Sequence, residues 1–303
     1  MTELTVFQKK IRDFLPEISL RFYEPLAKHT SFRIGGPAEV MAFPQNADQL
    51  AQLLKASALL DCKPAILGAG TNILAPDRGL TGLTICLKDA LGGMTVLENG
   101  KIRFGAGISM ARAASFAAKQ GLSGMEFAHG IPGSIGGGIY MNAGAYGGEI
   151  CQICQEAEVM DMAGNLRTLT HEELGFSYRH SILEEQDLIV VSGTFALTPK
   201  PQEEIQGKMQ ELMERRRASQ PLDMPSAGSA FKRPVGGYAA ALIEQAGLKG
   251  FQVGGAAVST KHAGFVVNLG DATAADVQAL LKQVAEKVYA NSGITLTPEV
   301  RIW

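Results

Sequence analysis

The chain predicts an α+β fold built in more than one domain, and three observations predict it. Its 303 residues exceed what one core usually serves. Helix-like and strand-like periodicities mix without the strict alternation of a doubly wound sheet. Pro199-Lys200-Pro201 punctuates the chain well past its middle and reads as a domain boundary.

The elements follow in order. Residues 45–60 read as an amphipathic helix, because Ala47, Leu50, Leu53 and Leu54 share one stripe. Lys63-Pro64 leads into a short buried strand at 65–67. Residues 109–120 read as a helix with Ser109 as N-cap and Gly121 just past its end. Strands are expected at 83–87, 101–104, 158–162, 166–169 and 188–197, with Ala163-Gly164-Asn165 turning a hairpin between two of them. Beyond the proline boundary, 203–219 is a polar helix ending in Arg215-Arg216-Arg217, and 237–246 is a further helical piece. Residues 272–291 form the clearest helix. Thr273-Ala274-Ala275-Asp276 resembles a capping box with Asp in place of Glu. Val277, Leu280, Leu281, Val284 and Val288 then line one face. Residues 295–303 close the chain as a strand.

Composition excludes several classes. Hydrophobic residues make up 46% and charged residues 19%, as expected of a soluble globular protein with ample core. A net charge of −2 leaves no footprint for nucleic acid. No apolar run is long enough for a membrane span, and Met1-Thr2-Glu3-Leu4 lacks a leader profile, so a cytoplasmic location is expected. Cys62, Cys86, Cys151 and Cys154 suit a reducing compartment. The CxxC at Cys151-Gln152-Ile153-Cys154 has no second ligand pair, so two free thiols and no metal are expected.

The most informative stretch is 131–148, where seven of eighteen residues are glycine and none is charged. Bare N–H groups on such a turn suit phosphate. Gly68-Ala69-Gly70-Thr71-Asn72 repeats that character after a short apolar run. Two glycine cradles point to a ligand with a central diphosphate, a dinucleotide. Neither matches a Rossmann fingerprint: the first lacks its third glycine, and the second lacks its second glycine and a preceding strand.

Together the loops resemble the flavin-binding half of the p-cresol methylhydroxylase-like superfamily, with FAD between two α+β subdomains. Six blocks narrow the resemblance: His29 to Ala38, Leu67 to Leu74, Gly130 to Gly137, Ser177-Tyr178-Arg179, Gly228 to Pro234 and Pro298 to Arg301. In sequence and order they are similar to the UDP-N-acetylenolpyruvoylglucosamine reductase family. The resemblance implies FAD-binding subdomains at 1–75 and 76–200 and a substrate-binding domain at 201–303. It implies noncovalent FAD, NADPH as co-substrate, and a UDP-sugar substrate in cell-wall synthesis. On that resemblance NADPH would reduce the flavin, and the enolpyruvyl group would then take hydride from flavin N5 on its methylene carbon and a proton on the adjacent carbon.

The resemblance assigns roles residue by residue. Arg179 would bind the substrate carboxylate, which needs a fixed cation while charge develops on it. Glu299 would polarise or hold that region, in protonated form if buried. Ser229 would deliver the proton. Gly68, Gly70, Thr71, Asn72, Gly133, Ser134, Gly136 and Gly137 would cradle the diphosphate, with Asn142, Ala143 and Gly144 against the flavin. Lys232, Tyr238, Lys261 and Asn268 would touch the substrate. Arg215-Arg216-Arg217 has two accounts, a phosphate contact or a solvated helix end. Arg233 stands where many relatives have Asn. Only residues 180–228 separate Arg179 from Ser229, matching the compact form that lacks a Tyr-bearing loop. A monomer is expected. Two rivals remain: a flavin oxidase or dehydrogenase of the same superfamily acting on a carbohydrate or aryl alcohol, and a binding protein without turnover.

Overall fold

The computed structural model describes residues 3–303, so Met1 and Thr2, part of the stretch read for a leader, lie outside the described residues. The fold is mixed α and β, as expected. It divides into two compact units. Of the described residues, the first comprises 3–22, 39–69 and 81–214, and the second 23–38, 70–80 and 215–303.

The first unit contains a five-stranded antiparallel sheet. Its order is Leu166–Thr170, Cys154–Met160, Ile189–Ala196, Lys101–Gly105 and Met94–Val96. The 161–165 loop joins the first two strands, with Gly164 at φ +84 making the turn. Cys154–Met160 begins four residues earlier than the period-2 pattern implied and is bulged twice against its neighbour. A second, four-stranded sheet, mostly within this unit, runs Ser19–Pro25, Pro37–Phe43, Leu80–Cys86 and Ala65–Leu67, the last two parallel.

Helices α1 (Val6–Phe14), α2 (Ala47–Leu59), α3 (Met110–Lys119) and α4 (Ile135–Tyr140) complete the unit. Leu50, Leu53 and Leu54 bury the apolar face of α2. Ser109 caps α3, accepting the Arg112 amide, and Gly121 sits at φ +67 beyond its end. The sequence reading missed α4 because three of its six residues are glycine, a composition of poor helix propensity. Tertiary contact outweighs propensity there. Ile135 and Ile139 are fully buried, and Ser134 caps the helix. Glycine lets neighbours close in: a Cβ at Gly136 would come within 3.0 Å of the Ala106 Cβ.

Helix α5 (Gln202–Ser219) crosses from residues of the first unit to those of the second. Of its arginine run, Arg215 and Arg217 are exposed but Arg216 is only 8% exposed, so a solvated end describes two of the three.

The second unit carries an antiparallel sheet ordered Ser226–Ser229, Phe265–Asn268, Ala256–Val258 and Gln252–Val253. Helices α6 (Ala239–Gln245) and α7 (Ala274–Ser292) share its apolar core. All five stripe residues of α7 are buried. Thr273 and Asp276 form the expected capping box, and Gly293 ends the helix in the left-handed conformation. Asp77 adds what the local sequence did not show: its carboxylate oxygens accept the Ala274 amide at 2.7 Å and the Ala275 amide at 3.1 Å. The final strand is shorter than expected. Only Arg301–Ile302 pairs, in parallel with Ile73–Leu74, while Pro298 bridges to Phe231. Among the described residues no helix is long and apolar enough to cross a membrane.

Candidate active site

The glycine loops of the first unit lie side by side: a Cβ on Gly68 would come within 3.1 Å of the Ser134 Oγ. Their amides divide into two groups. Those of Gly68, Ala69, Gly133 and Ser134 donate to no protein acceptor among the described residues. Those of Ile135 and Gly136 are taken by the carbonyls of Ile108 and Ala106, each at 2.8 Å, and Gly137 donates to the Ser134 Oγ. The amides of Gly136 and Gly137 are thus engaged within the protein; a Cβ would crowd Ala106 at Gly136, whereas at Gly137 it would meet only the Ser134 Oγ at 3.5 Å. Ser134 is buried, and a buried donor left without a partner is rare and marks a place for an acceptor. A concavity of such amides without a cationic side chain fits the diphosphate of a dinucleotide.

The segment that follows is engaged internally. The Ala143 amide donates to Gly138 and its carbonyl accepts from Ile150. Asn142 is 1% exposed, with φ +42 and its side-chain amide fully bonded. Gly144 turns its carbonyl to Arg179, whose Nη2 donates to it at 3.2 Å. Arg179 occupies the left-handed region at φ +56, on a turn closed by reciprocal backbone hydrogen bonds between Ser177 and His180. Its guanidinium lies 5.2 Å from the Tyr178 ring centroid.

In the second unit, Ser229 ends the first strand of the sheet. Ser226 pairs with Val267 and Ser229 with Phe265, so three steps on one strand face two on the other. This is a β-bulge, with Gly228 at φ +77 supplying the backbone conformation. Ser229 is left exposed. Beside it, the Ala230 carbonyl accepts the Glu299 amide at 2.9 Å, and the Lys232 amide donates to Thr297. Asn72 joins the same cluster: its Nδ2 donates to the Glu299 carbonyl at 3.3 Å and its carbonyl accepts the Arg301 amide at 3.0 Å. Gly70 sits at φ +65, where a Cβ would overlap the His29 carbonyl. Ser31 donates its amide to Gly70 and its hydroxyl to Ser226, at 2.7 Å. Asn72, Ser229 and Glu299, far apart in sequence, therefore occupy one neighbourhood. Ser31 was not singled out beforehand, since its role rests on a carbonyl far along the chain.

The expected substrate contacts separate. Tyr238 is exposed, with the Arg233 guanidinium 4.0 Å from its ring centroid, and Lys232 is half-buried. Lys261 donates its ammonium to the Arg217 carbonyl. Asn268 corrects the expectation: it is 4% exposed, donates to the Phe32 carbonyl and accepts from Gly270 and Ala272, so it braces the fold instead of facing a ligand.

The CxxC thiols are unbridged. Burial pushes the Cys154 thiol up to about 12 and raises that of Cys151. Among the described residues no cluster of three His, Cys, Asp or Glu forms a metal site.

Comparison with known proteins gives these features a context. Residues 38–170 match a family model described as an FAD binding domain. Residues 220–303 match one described as UDP-N-acetylenolpyruvoylglucosamine reductase, C-terminal domain. A UDP-N-acetylenolpyruvoylglucosamine reductase of Agathobacter rectalis is 46% identical over 98% of each chain. One of Caldanaerobacter subterraneus subsp. tengcongensis is 44% identical over 100% of this chain and 99% of its own. The crystal structure of the Thermus caldophilus enzyme superposes with a TM-score of 0.80 at 34% identity, covering 95% of this chain and 99% of that one. Full-length similarity of this degree, together with the two matched domains, places the chain in the UDP-N-acetylenolpyruvoylglucosamine reductase family.

Proposed function

We propose that the chain catalyses NADPH-dependent reduction of the enolpyruvyl ether of UDP-N-acetylglucosamine to UDP-N-acetylmuramate, a step of peptidoglycan precursor synthesis. The balance is simple: NADPH and one proton are consumed, the carbon–carbon double bond becomes single, and each of its carbons gains one hydrogen. Bound FAD supplies a two-electron relay between the nicotinamide and the double bond. The observation that carries the assignment of residues is the Ala230–Glu299 hydrogen bond, which sets Glu299 beside the bulge that presents Ser229.

The chain's own groups have separable tasks. The amides of Gly68, Ala69, Gly133 and Ser134 hold the diphosphate of FAD, with Gly70, Thr71 and Asn72 continuing the first loop. Arg179 binds the substrate carboxylate through its planar fork and remains charged throughout. As reduction pushes electron density onto that carboxylate, a fixed cation stabilises it without reorganising. Ser229 gives its hydroxyl proton to the carbon next to the carboxylate, which is basic enough at that moment to take it. Glu299 holds the same region, and Lys232, Tyr238 and Lys261 meet the sugar nucleotide. The protein acts in the cytoplasm, a reading supported by four free cysteines that suit a reducing compartment, and it acts as a monomer.

The test is spectroscopic. Anaerobic NADPH should bleach the yellow of the purified protein, and the enolpyruvyl sugar nucleotide should restore it. Bleaching by a carbohydrate or aryl alcohol instead would favour the oxidase reading. Ser229→Ala should slow the second step by about 10²–10⁴-fold while leaving the first intact; equal damage to both steps would refute the assignment of the proton donor.

A further inference from the structure

We propose that Asn142 is the positioning residue for Arg179, a buried amide that clamps the turn carrying the guanidinium, and is not a cofactor contact. The inference rests on the reading of Arg179 as the carboxylate-binding group.

Every polar atom of the Asn142 amide is committed. Its Oδ1 accepts the Cys151 amide at 2.9 Å, and its Nδ2 donates to the Ser177 carbonyl at 3.0 Å and the Glu149 carboxylate at 3.3 Å. The orientation is forced by chemistry, because the flipped amide would set a carbonyl oxygen against a carbonyl and a carboxylate. With 1% of its surface exposed, the side chain has nothing left to offer a ligand.

What it grips is the base of the Arg179 turn. Ser177 lies two residues before Arg179, and the turn closes through hydrogen bonds of 3.1 and 3.2 Å between Ser177 and His180. Two residues beyond Asn142, the Gly144 carbonyl takes Arg179 Nη2 at 3.2 Å. The 142–144 segment thus holds the turn at two points, the carbonyl beneath the arginine and the guanidinium itself. Both Arg179 and Asn142 sit in the left-handed region, at φ +56 and +42. That conformation is unfavourable for residues with a Cβ and persists only where surrounding structure enforces it. Asparagine meets the requirement at position 142, being short, tolerant of positive φ, and both donor and acceptor.

The test uses flavin-loaded enzyme and follows the two half-reactions separately in N142A, N142D, R179A and N142A/R179A. Melting is recorded for each variant, so that rates refer to folded protein; N142D keeps the shape and the acceptor for Cys151 if N142A proves unstable. Loss of the clamp should slow reoxidation by the enolpyruvyl sugar nucleotide about 10–100-fold, a misplacement effect, with reduction by NADPH within twofold of wild type. In the R179A background, N142A should add less than about twofold, because the group it positions is gone. Independent, multiplying effects would overturn the proposal. So would loss of flavin affinity or of NADPH reduction in N142D to the same extent as the second step, which would make Asn142 a cofactor contact. Recovery of N142D by E149Q would also overturn it, since that change relieves the Glu149 contact without restoring the bond to Ser177. If R179A itself reoxidises normally, the reading of Arg179 fails and the proposal with it, an outcome distinct from the others.

Discussion

The bulge at Gly228 separates stability from chemistry, and Gly228→Ala exposes the difference. An added Cβ there would meet nothing within 4 Å, so the substitution brings torsional strain and no clash. A non-glycine residue at φ +77 costs about 1–2 kcal/mol. Relaxing the bulge would relieve that strain only by breaking what anchors it. On one side the Ser226 carbonyl accepts the Ser31 hydroxyl at 2.7 Å, and on the other the Ala230 amide donates to Gly264 at 2.8 Å and the Ala230 carbonyl takes Glu299. Three such bonds, at about 1 kcal/mol each, outweigh the strain. The bulge should therefore survive. Differential scanning calorimetry should show melting lowered by about 2–4 °C per kcal/mol lost, while reoxidation of the reduced enzyme stays within tenfold. Ser229→Ala should behave inversely, with melting unchanged, since the hydroxyl is exposed, and reoxidation collapsed. A Gly228→Ala enzyme as slow as Ser229→Ala would show that the surrounding bonds do not hold the bulge, and the reasoning would fail.

Other expectations follow from single contacts. Asp77→Ala removes two acceptors from the first turn of α7 and should destabilise the protein by about 1–2 kcal/mol in thermal melts; Asp77→Asn, which keeps one acceptor oxygen, should lose less. Backbone amides of Thr273, Thr170 and Asn165 hold Asp276, Glu173 and Asp161 respectively below the usual carboxylate range. A lowered folded pKa contributes stability above the unfolded value and loses it as pH falls through the folded one. Acid titration monitored by circular dichroism should accordingly show stability declining below the ordinary carboxylate range and none of this contribution changing near neutrality. Cys154, its thiol raised to about 12 by burial, should escape alkylation by iodoacetamide at pH 8 in the folded protein; rapid labelling there would contradict the buried placement.

Much of the fold was legible where its causes are local. The stripe and capping box of α7 lie within one helix length, so periodicity and cap chemistry sufficed to read them. The Ser109 cap and the 161–165 turn were legible for the same reason. Helix α4 was not, because its glycines argue against a helix and the contacts that stabilise Ile135 and Ile139 come from elsewhere in the chain. The candidate site divides likewise. Its glycine loops announced themselves by composition, but which amides remain available depended on the carbonyls of Ala106 and Ile108.

The order of residues by itself determined the family and the pair of glycine-rich loops, and it nominated Arg179, Ser229 and Glu299 for the proposed chemistry, because motif chemistry and spacing are written along the chain. Tertiary structure alone decided that Asn142 spends its amide on a carbonyl 35 residues away, that Asp77 caps a helix 197 residues downstream and that Asn268 turns inward. Hydrogen bonds between distant segments form only once the backbone has brought them together, and no local pattern specifies which donor will meet which acceptor.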